Sequence, residues 1–261
     1  MTTIKKLTVT TLLGATSLFA DTIAGGEISL GYYSHTPSGT ASYSPFGIIN
    51  PSVDVEDDFG WSAEQNIFLK AYIEHPVPMI PNIRLGYTDF YQDGQNTVGD
   101  FSWGDISLPV GGEIDSALDM QFYDIGLYYE LLDNWLSLDA GLTLRYLDGN
   151  IAVDTLAHFG PISTPTLGES TDFSLWIPML YGKARFDIPN TDISMQLEGN
   201  VISYEDTTLY DYEISARYTL SMGLGIEGGF KGLHFDTVDL VDGLNIDVDA
   251  SGPFVAVVWD F

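Results

Sequence analysis

Phe254-Val255-Ala256-Val257-Val258-Trp259-Asp260-Phe261 is the stretch whose reading decides the fold. Read backward, Phe261, Trp259, Val257 and Val255 fall on one face of an extended chain, and Asp260, Val258 and Ala256 on the other. Successive side chains of a strand alternate between faces, so an apolar residue at every second position marks a β-strand. Working outward from it, period-two alternation predicts strands near 26–35, 65–75, 82–91, 116–131, 135–148, 172–187, 192–204, 208–219, 222–236 and 250–261. The connections 36–64, 92–115, 149–171 and 237–249 are long, and 76–81, 132–134, 188–191 and 220–221 are short. Glu205-Asp206-Thr207 is short where a long connection is expected. The stretch Phe101 to Leu108 could add a strand pair inside the second long loop, giving twelve strands instead of ten.

Long loops at one end and tight turns at the other, joining an even number of strands, is the pattern of transmembrane barrels. The closing strand resembles the last strand of bacterial outer-membrane β-barrels. In that class the terminal aromatic strand is what the barrel-assembly machinery recognises, so Trp259 and Phe261 are the assembly signal that the resemblance implies. Lys5 and Lys6 followed by apolar Leu7 to Phe19 read as a secretory signal peptide, with cleavage expected after Ala20. That run is too short for a transmembrane helix, and no other apolar run approaches the roughly 18–20 residues needed. A membrane protein of this composition must span by strands, because lipid requires every backbone group to be paired within the protein. The expectation is residues 1–20 as signal peptide and 21–261 as one all-β domain, a closed antiparallel up-and-down barrel of about ten strands in the bacterial outer membrane. It is expected to be a monomer.

Placement of charge separates a barrel from a soluble sandwich, which also alternates. Without Lys5 and Lys6 the chain has seven basic residues against 37 acidic ones. All seven (Lys70, Arg84, Arg145, Lys183, Arg185, Arg217 and Lys231) lie inside predicted strands, on the less apolar face. On the lipid face each would cost roughly 2–4 kcal/mol at the midplane, so a barrel drives them into the lumen. There they meet Glu74, Glu130, Asp139, Glu198, Asp211, Glu213 and Glu227, with Asp260, Glu27 and Asp124 nearby. Near-balanced charges in a narrow interior pair with one another, since an unpaired buried charge costs several kcal/mol. A largely filled lumen is therefore expected, with a narrow cation-preferring pore as the alternative.

Aromatic residues form two predicted belts of the kind found at membrane interfaces. Tyr129, Trp135, Phe186, Tyr218, Trp259 and Phe261 mark the periplasmic ends; Tyr32, Tyr91, Tyr146, Phe173, Trp176, Tyr210 and Phe235 mark the others. Two strands fit less simply. In 172–187 sending Lys183 and Arg185 inward points Pro178 at lipid, which suggests a bulge there. In 116–131 the apolar set changes phase between Phe122 and Ile125, suggesting a bulge or the membrane boundary.

The turn Glu74-His75-Pro76-Val77-Pro78-Met79-Ile80-Pro81-Asn82 is stiffened by three prolines. It resembles an uncharacterised family of small outer-membrane barrels that carry a Glu-His-Pro-x-Pro-x-x-Pro-Asn periplasmic turn. The similarity extends through Ile83-Arg84-Leu85, the acidic segment Asp54 to Asp58 and the closing strand. It implies fold and location, without an activity, and His75 is expected to be structural.

The scarcity of Lys and Arg argues against nucleic-acid binding. There is no cysteine, no pair of histidines at helical spacing and no glycine-rich phosphate loop, so no cofactor is expected. Asp54, Glu56, Asp57 and Asp58, and Asp236, Asp239, Asp242, Asp247 and Asp249, suit at most weak divalent cations shared with lipopolysaccharide phosphates. Partners are then outer-membrane lipid, lipopolysaccharide and the assembly machinery. The expected role is structural or surface-interaction, without catalysis. A surface hydrolase, either a protease or a lipid A-modifying enzyme, is a further alternative: omptin proteases place acidic pairs and an Asp/His pair at the extracellular rim, and His234-Phe235-Asp236 lies near that end, in reversed order. His35 with Ser34, and His158, are weaker candidates.

Overall fold

The computed structural model describes residues 25–45, 49–77, 79–108, 112–159, 162–163, 167–241 and 243–261. The predicted signal peptide lies outside them. Ten strands form one closed antiparallel barrel: β1 (Gly25–Tyr43), β3 (Glu64–Glu74), β4 (Asn82–Val98), β7 (Gly112–Leu132), β8 (Leu136–Phe159), β10 (Leu167–Asp187), β11 (Ile193–Tyr204), β12 (Thr207–Thr219), β13 (Leu224–Thr237) and β14 (Leu244–Asp260). Each pairs with its sequence neighbour in this series, and β14 pairs with β1 to close the ring. The short β2 (Val53–Asp54) adds to β1, and β9 (Ile162–Ser163) to β8. β5 (Phe101–Trp103) and β6 (Ile106–Leu108) form a hairpin of their own that is not part of the ring, so ten strands is the count and twelve is not.

At the closure, Phe261 N–H donates to Gly26 O and Gly26 N–H to Phe261 O, both at 2.9 Å. The Phe261 ring lies over Gly26, where an added Cβ would sit 2.6 Å from it, and stacks at 5.2 Å from Trp259. The aromatic end of the chain therefore seals the first strand to the last at the periplasmic rim.

The main difference from expectation is strand length. A tilted transmembrane strand needs about 9–11 residues, yet β7, β8 and β10 run for 21, 24 and 21. Much of the predicted long loops is strand that continues above the membrane. The reason is an inversion of the two faces along each strand. In the lower half of β8, Leu142 and Leu144 face out while Thr143 and Arg145 are buried inside. Higher up, Leu147, Ile151 and Val153 are buried inside while Asp148 and Asp154 face out. β7 changes at the same level, with Tyr123, Ile125 and Leu127 outward below and Ile114, Leu118 and Met120 inward above. The phase change in 116–131 is this boundary; the register there is regular, and the one irregularity lies between Glu130 and Leu132. No bulge forms at Pro178 either. It faces out in regular register with Leu144, at a height where β10 has already lost its partner β11, whose pairing ends at Leu180–Val201.

A ring of outward aromatics marks the boundary: Tyr87, Tyr123, Tyr146 and Trp176 follow one another with centroids 5.2, 6.2 and 4.8 Å apart, and Tyr32 is half exposed on β1. Phe173 and Phe235, expected in this belt, point inward and are buried in the core above it. Tyr129, Trp135, Phe186, Tyr218 and Phe261 are exposed at the other end.

Candidate functional site

The interior is filled in two tiers. All seven basic residues occupy inward positions. Lys70 Nζ lies 2.8 Å from both Glu198 Oε2 and Glu213 Oε1, joining β3 to β11 and β12 across the barrel. Glu198 is a hub: it also contacts Arg84 Nε at 2.9 Å and accepts a hydrogen bond from Tyr72 Oη at 2.7 Å. Arg145 donates through Nε and Nη2 to Asp124 at 2.7 and 2.8 Å, and its Nη2 lies 2.8 Å from Asp211 Oδ2. Arg217 reaches over β13 and β14, donating to Glu27 of β1 at 2.8 and 2.9 Å and to Glu227 at 2.7 and 2.9 Å, with Asp260 at 3.4 Å. Lys231 lies 3.7 Å from Glu213. These contacts are buried, and bidentate Arg–carboxylate geometry is the strong form of such a pair.

Strand register explains how the sequence assembles this. Glu130, Asp139, Lys183, Glu198, Glu213 and Lys231 stand side by side on successive strands, alternating in charge for most of the row. Lys183 places its ammonium 4.0 Å above the Tyr72 ring. Arg185, by contrast, is half exposed and takes Asp187 at 2.9 Å, a partner not singled out from the sequence. Glu74 and Glu130 lie at the periplasmic mouth, outside the paired network. Thr143 and Asn200 add a neutral link to Asp211, Thr143 Oγ1 donating to Asn200 Oδ1 at 2.8 Å and Asn200 Nδ2 to Asp211 Oδ1 at 2.9 Å. Inward parity was the available signal for Thr143 and Asn200, but polar residues without charge gave no reason to select them, whereas Asp211 was expected in the lumen.

Above this tier sits an apolar one that sequence reasoning missed. Phe59, Trp61, Phe90, Phe101, Trp103, Ile106, Leu108, Ile114, Leu118, Leu147, Ile151, Phe173, Phe235 and their neighbours form one continuous buried cluster. The β5–β6 hairpin and the segment from Val53 to Trp61 supply much of it, folded across the top of the barrel. Asp54 organises that segment, accepting from Glu56 and Asp57 N–H at 2.9 and 2.8 Å while its own N–H donates to Asp58. The acidic run is thus a loop knot. Between the tiers, a 30 Å³ cavity lined by Tyr33, Lys70, Arg84, Phe122, Asp124 and Lys231 has about the volume of one water.

Among the described residues, the exterior above the aromatic ring is acidic and carries no Lys or Arg. Asp89, Asp93, Asp115, Asp119, Asp148, Asp154 and Asp172 face outward on β4, β7, β8 and β10. Asp115 and Asp154 stand opposite one another in register. Partial burial and the nearby Asp119, diagonal to it on β7, raise the Asp89 carboxyl above its usual range. Among the described residues, no group of three or more His, Asp or Glu side chains is set to hold a metal ion.

The histidines are placed apart. His75 clasps its turn: Nδ1 accepts from Val77 N–H at 3.2 Å, so Nε2 carries the proton and donates to Pro81 O at 3.0 Å. His35 is buried between Tyr33 and Phe90 and meets Asn66 Nδ2 at 2.7 Å. His234 faces outward, pairing with Asp249 at 2.9 Å and stacking on Tyr210, while Asp236 stands opposite Asp247. Asp211 and Glu213 sit deep in the lumen, already paired with Arg145 and Lys70. His158's side chain lies outside the described side chains.

No protein-family model matches the chain, and no curated protein matches it. Among solved structures it is similar to the outer membrane protease OmpT from Escherichia coli, at 10% identity and a TM-score of 0.54, over 91% of this chain and 97% of that one. It also matches Ail, the attachment invasion locus protein of Yersinia pestis, at 10% identity and a TM-score of 0.35, over 90% and 99%. The translocator domain of autotransporter NalP from Neisseria meningitidis matches at 13% identity and a TM-score of 0.37, over 96% and 93%. At these identities the likeness to OmpT speaks for the fold alone. Ten closed antiparallel strands, an apolar belt between two aromatic rings and a charged interior make this chain a β-barrel of the bacterial outer membrane.

Proposed function

We propose that this barrel is neither a channel nor an enzyme and acts through its extracellular wall, in a structural or surface-interaction role. One observation carries the reading: the interior is closed twice, by a paired charge network and, above it, by an apolar core folded over the mouth. A conducting path would need both to open. Opening the lower tier strands buried charges, and opening the upper one exposes large aromatic surface. The partners this reading implies are outer-membrane lipid and lipopolysaccharide, with the assembly machinery during insertion. Divalent cations would be shared weakly between the acidic wall and lipopolysaccharide phosphates; calorimetry showing no heat on adding calcium would remove that part.

The main test is single-channel recording of the refolded protein in planar bilayers. Folded protein should give no steps, and Lys183→Ala and Arg185→Ala should leave it silent. Steady ohmic steps that prefer cations and change with those substitutions would overturn the reading in favour of a narrow pore.

A further inference from the structure

One sector of the wall is low. β11 and β12 have 12 and 13 residues and meet in a turn at Glu205-Asp206 just above the aromatic ring, whereas β10 continues up to Leu167. β10 pairs with β8 along its whole height, from Leu167 to Phe186, but with β11 only from Leu180 downward. Over Leu167–Met179, the β11 side of β10 is paired with no strand among the described residues, although the β5–β6 hairpin comes close to its upper part, where Gly104 approaches Glu169. A closed barrel normally removes such an edge, because a row of free N–H and C=O groups is a template for another strand. At the base of this edge a notch of about 270 Å³ opens between Leu175, Ile177, Pro178, Ile202, Tyr204 and Val238.

The two faces of the edge differ in chemistry. Inward, Phe173, Leu175 and Ile177 belong to or pack against the apolar core, so an added strand would need apolar side chains on that face. Outward, Asp172 is held by Asn150 Nδ2 at 2.7 Å, with Asp148 and Asp154 on the adjacent strand and no Lys or Arg on the wall among the described residues. An added strand would need basic side chains there. We propose that the Leu167–Met179 edge of β10 is a docking site for an extended cationic segment of a partner, with apolar and basic residues in alternation, bound as an added strand above the β11–β12 hairpin. This rests on the reading that the extracellular wall carries the function. It is strand addition: main-chain bonds supply affinity and alternate side chains supply selectivity. A second copy of this chain is the wrong partner, because pairing two β10 edges would set Asp172 of each beside the other's acids, and like charges opposite one another destabilise. Pro178 sets the lower limit. It has no N–H to offer, so pairing stops at Trp176 and does not run into lipid.

The test uses the full chain in lipid nanodiscs and two nine-residue peptides, one alternating valine with lysine and one alternating valine with aspartate. Amide exchange is followed at residues 167–179. Alternate amides of this edge should exchange freely in the protein alone and be slowed about tenfold or more by the lysine peptide at low salt. Protection should weaken as salt rises and be absent with the aspartate peptide. Asp172→Lys, folded by its mobility on unboiled gels, should bind about fivefold more weakly. Asp172→Asn, milder still, serves as a second folded variant with a smaller loss. The proposal fails if the edge amides are already protected in the free protein, if both peptides protect equally, or if neither does. It fails as well if lipid composition alone changes their exchange, which would make the notch an acyl-chain site. Silence in planar bilayers is a separate result, so this site can fall while the closed-lumen reading stands.

Discussion

Replacing Glu198 with glutamine tests whether the lumen is a dry, balanced network. Glu198 is 3% exposed and receives Lys70, Arg84 and the Tyr72 hydroxyl, all within 3 Å. In this tier the cations Lys70, Arg84, Arg145, Lys183, Arg217 and Lys231 face Glu27, Asp124, Glu198, Asp211, Glu213 and Glu227, with Asp139 beside Lys183 and Asp260 at 3.4 Å from Arg217. Glu198→Gln keeps the volume and removes the charge that Lys70 and Arg84 share. Lys70 retains Glu213, but Arg84 is left with its 3.4 Å contact to Asp124. Breaking one partner of a buried pair costs about 3–5 kcal/mol, and that is the loss expected. The double variant Lys70→Met with Glu198→Leu should cost less than the sum of its singles, because it removes both partners of one pair together. Reversible urea unfolding in phospholipid vesicles, followed by tryptophan fluorescence, measures both. A loss below about 1 kcal/mol for Glu198→Gln would place the pair in the range of solvated surface ion pairs. The lumen would then be wet, and the closed-barrel reading would lose its main support.

The inversion of faces makes the effect of one substitution depend on height. Leu144→Arg, on the lipid face, should cost roughly 2–4 kcal/mol, while Asp148→Arg, four residues further along the same face, should be nearly neutral in the same vesicle assay. Leu147→Ala, fully buried between them, should cost about 2–5 kcal/mol. His75→Ala removes both bonds of the turn clasp, at about 0.5–1.5 kcal/mol each. Its signature should be faster protease cleavage between Pro76 and Pro81 with the barrel otherwise intact; unchanged cleavage would show that the prolines alone hold the turn.

The lower half of the barrel was legible because lipid outside and charge inside force a single phase on each strand. Arg145, Lys183 and Arg217 could be sent inward on cost alone, and the ten strands followed. Their partners were less legible. Register brings Glu198 beside Lys183, but the reach of Lys70 across the barrel to Glu198 depends on diameter and rotamers. The upper half was read as loops because its period continues with the opposite phase, and each strand then looks interrupted. Phe173 and Phe235 were misplaced for this reason: at their height, inward is the apolar direction. Gly94 and Gly60 carry a related signal. An added Cβ on Gly94 would meet Phe59 O at 2.4 Å, because the covering segment packs directly on β4. No period in the sequence announces such an approach.

The lumen contacts also set an order of events. Lys70 meets groups 128 and 143 residues further along the chain, and Arg217 meets one 190 residues back. A half-built sheet holding β1 to β8 carries Lys70, Arg84 and Glu27 with their main partners still unthreaded. Within that half Arg84 has only its 3.4 Å contact to Asp124, which Arg145 shares, so much of the buried pairing waits for the final hairpins. The interior is therefore completed only as the ring closes, and a chain interrupted before β11 should be cleaved faster by added protease than the full chain.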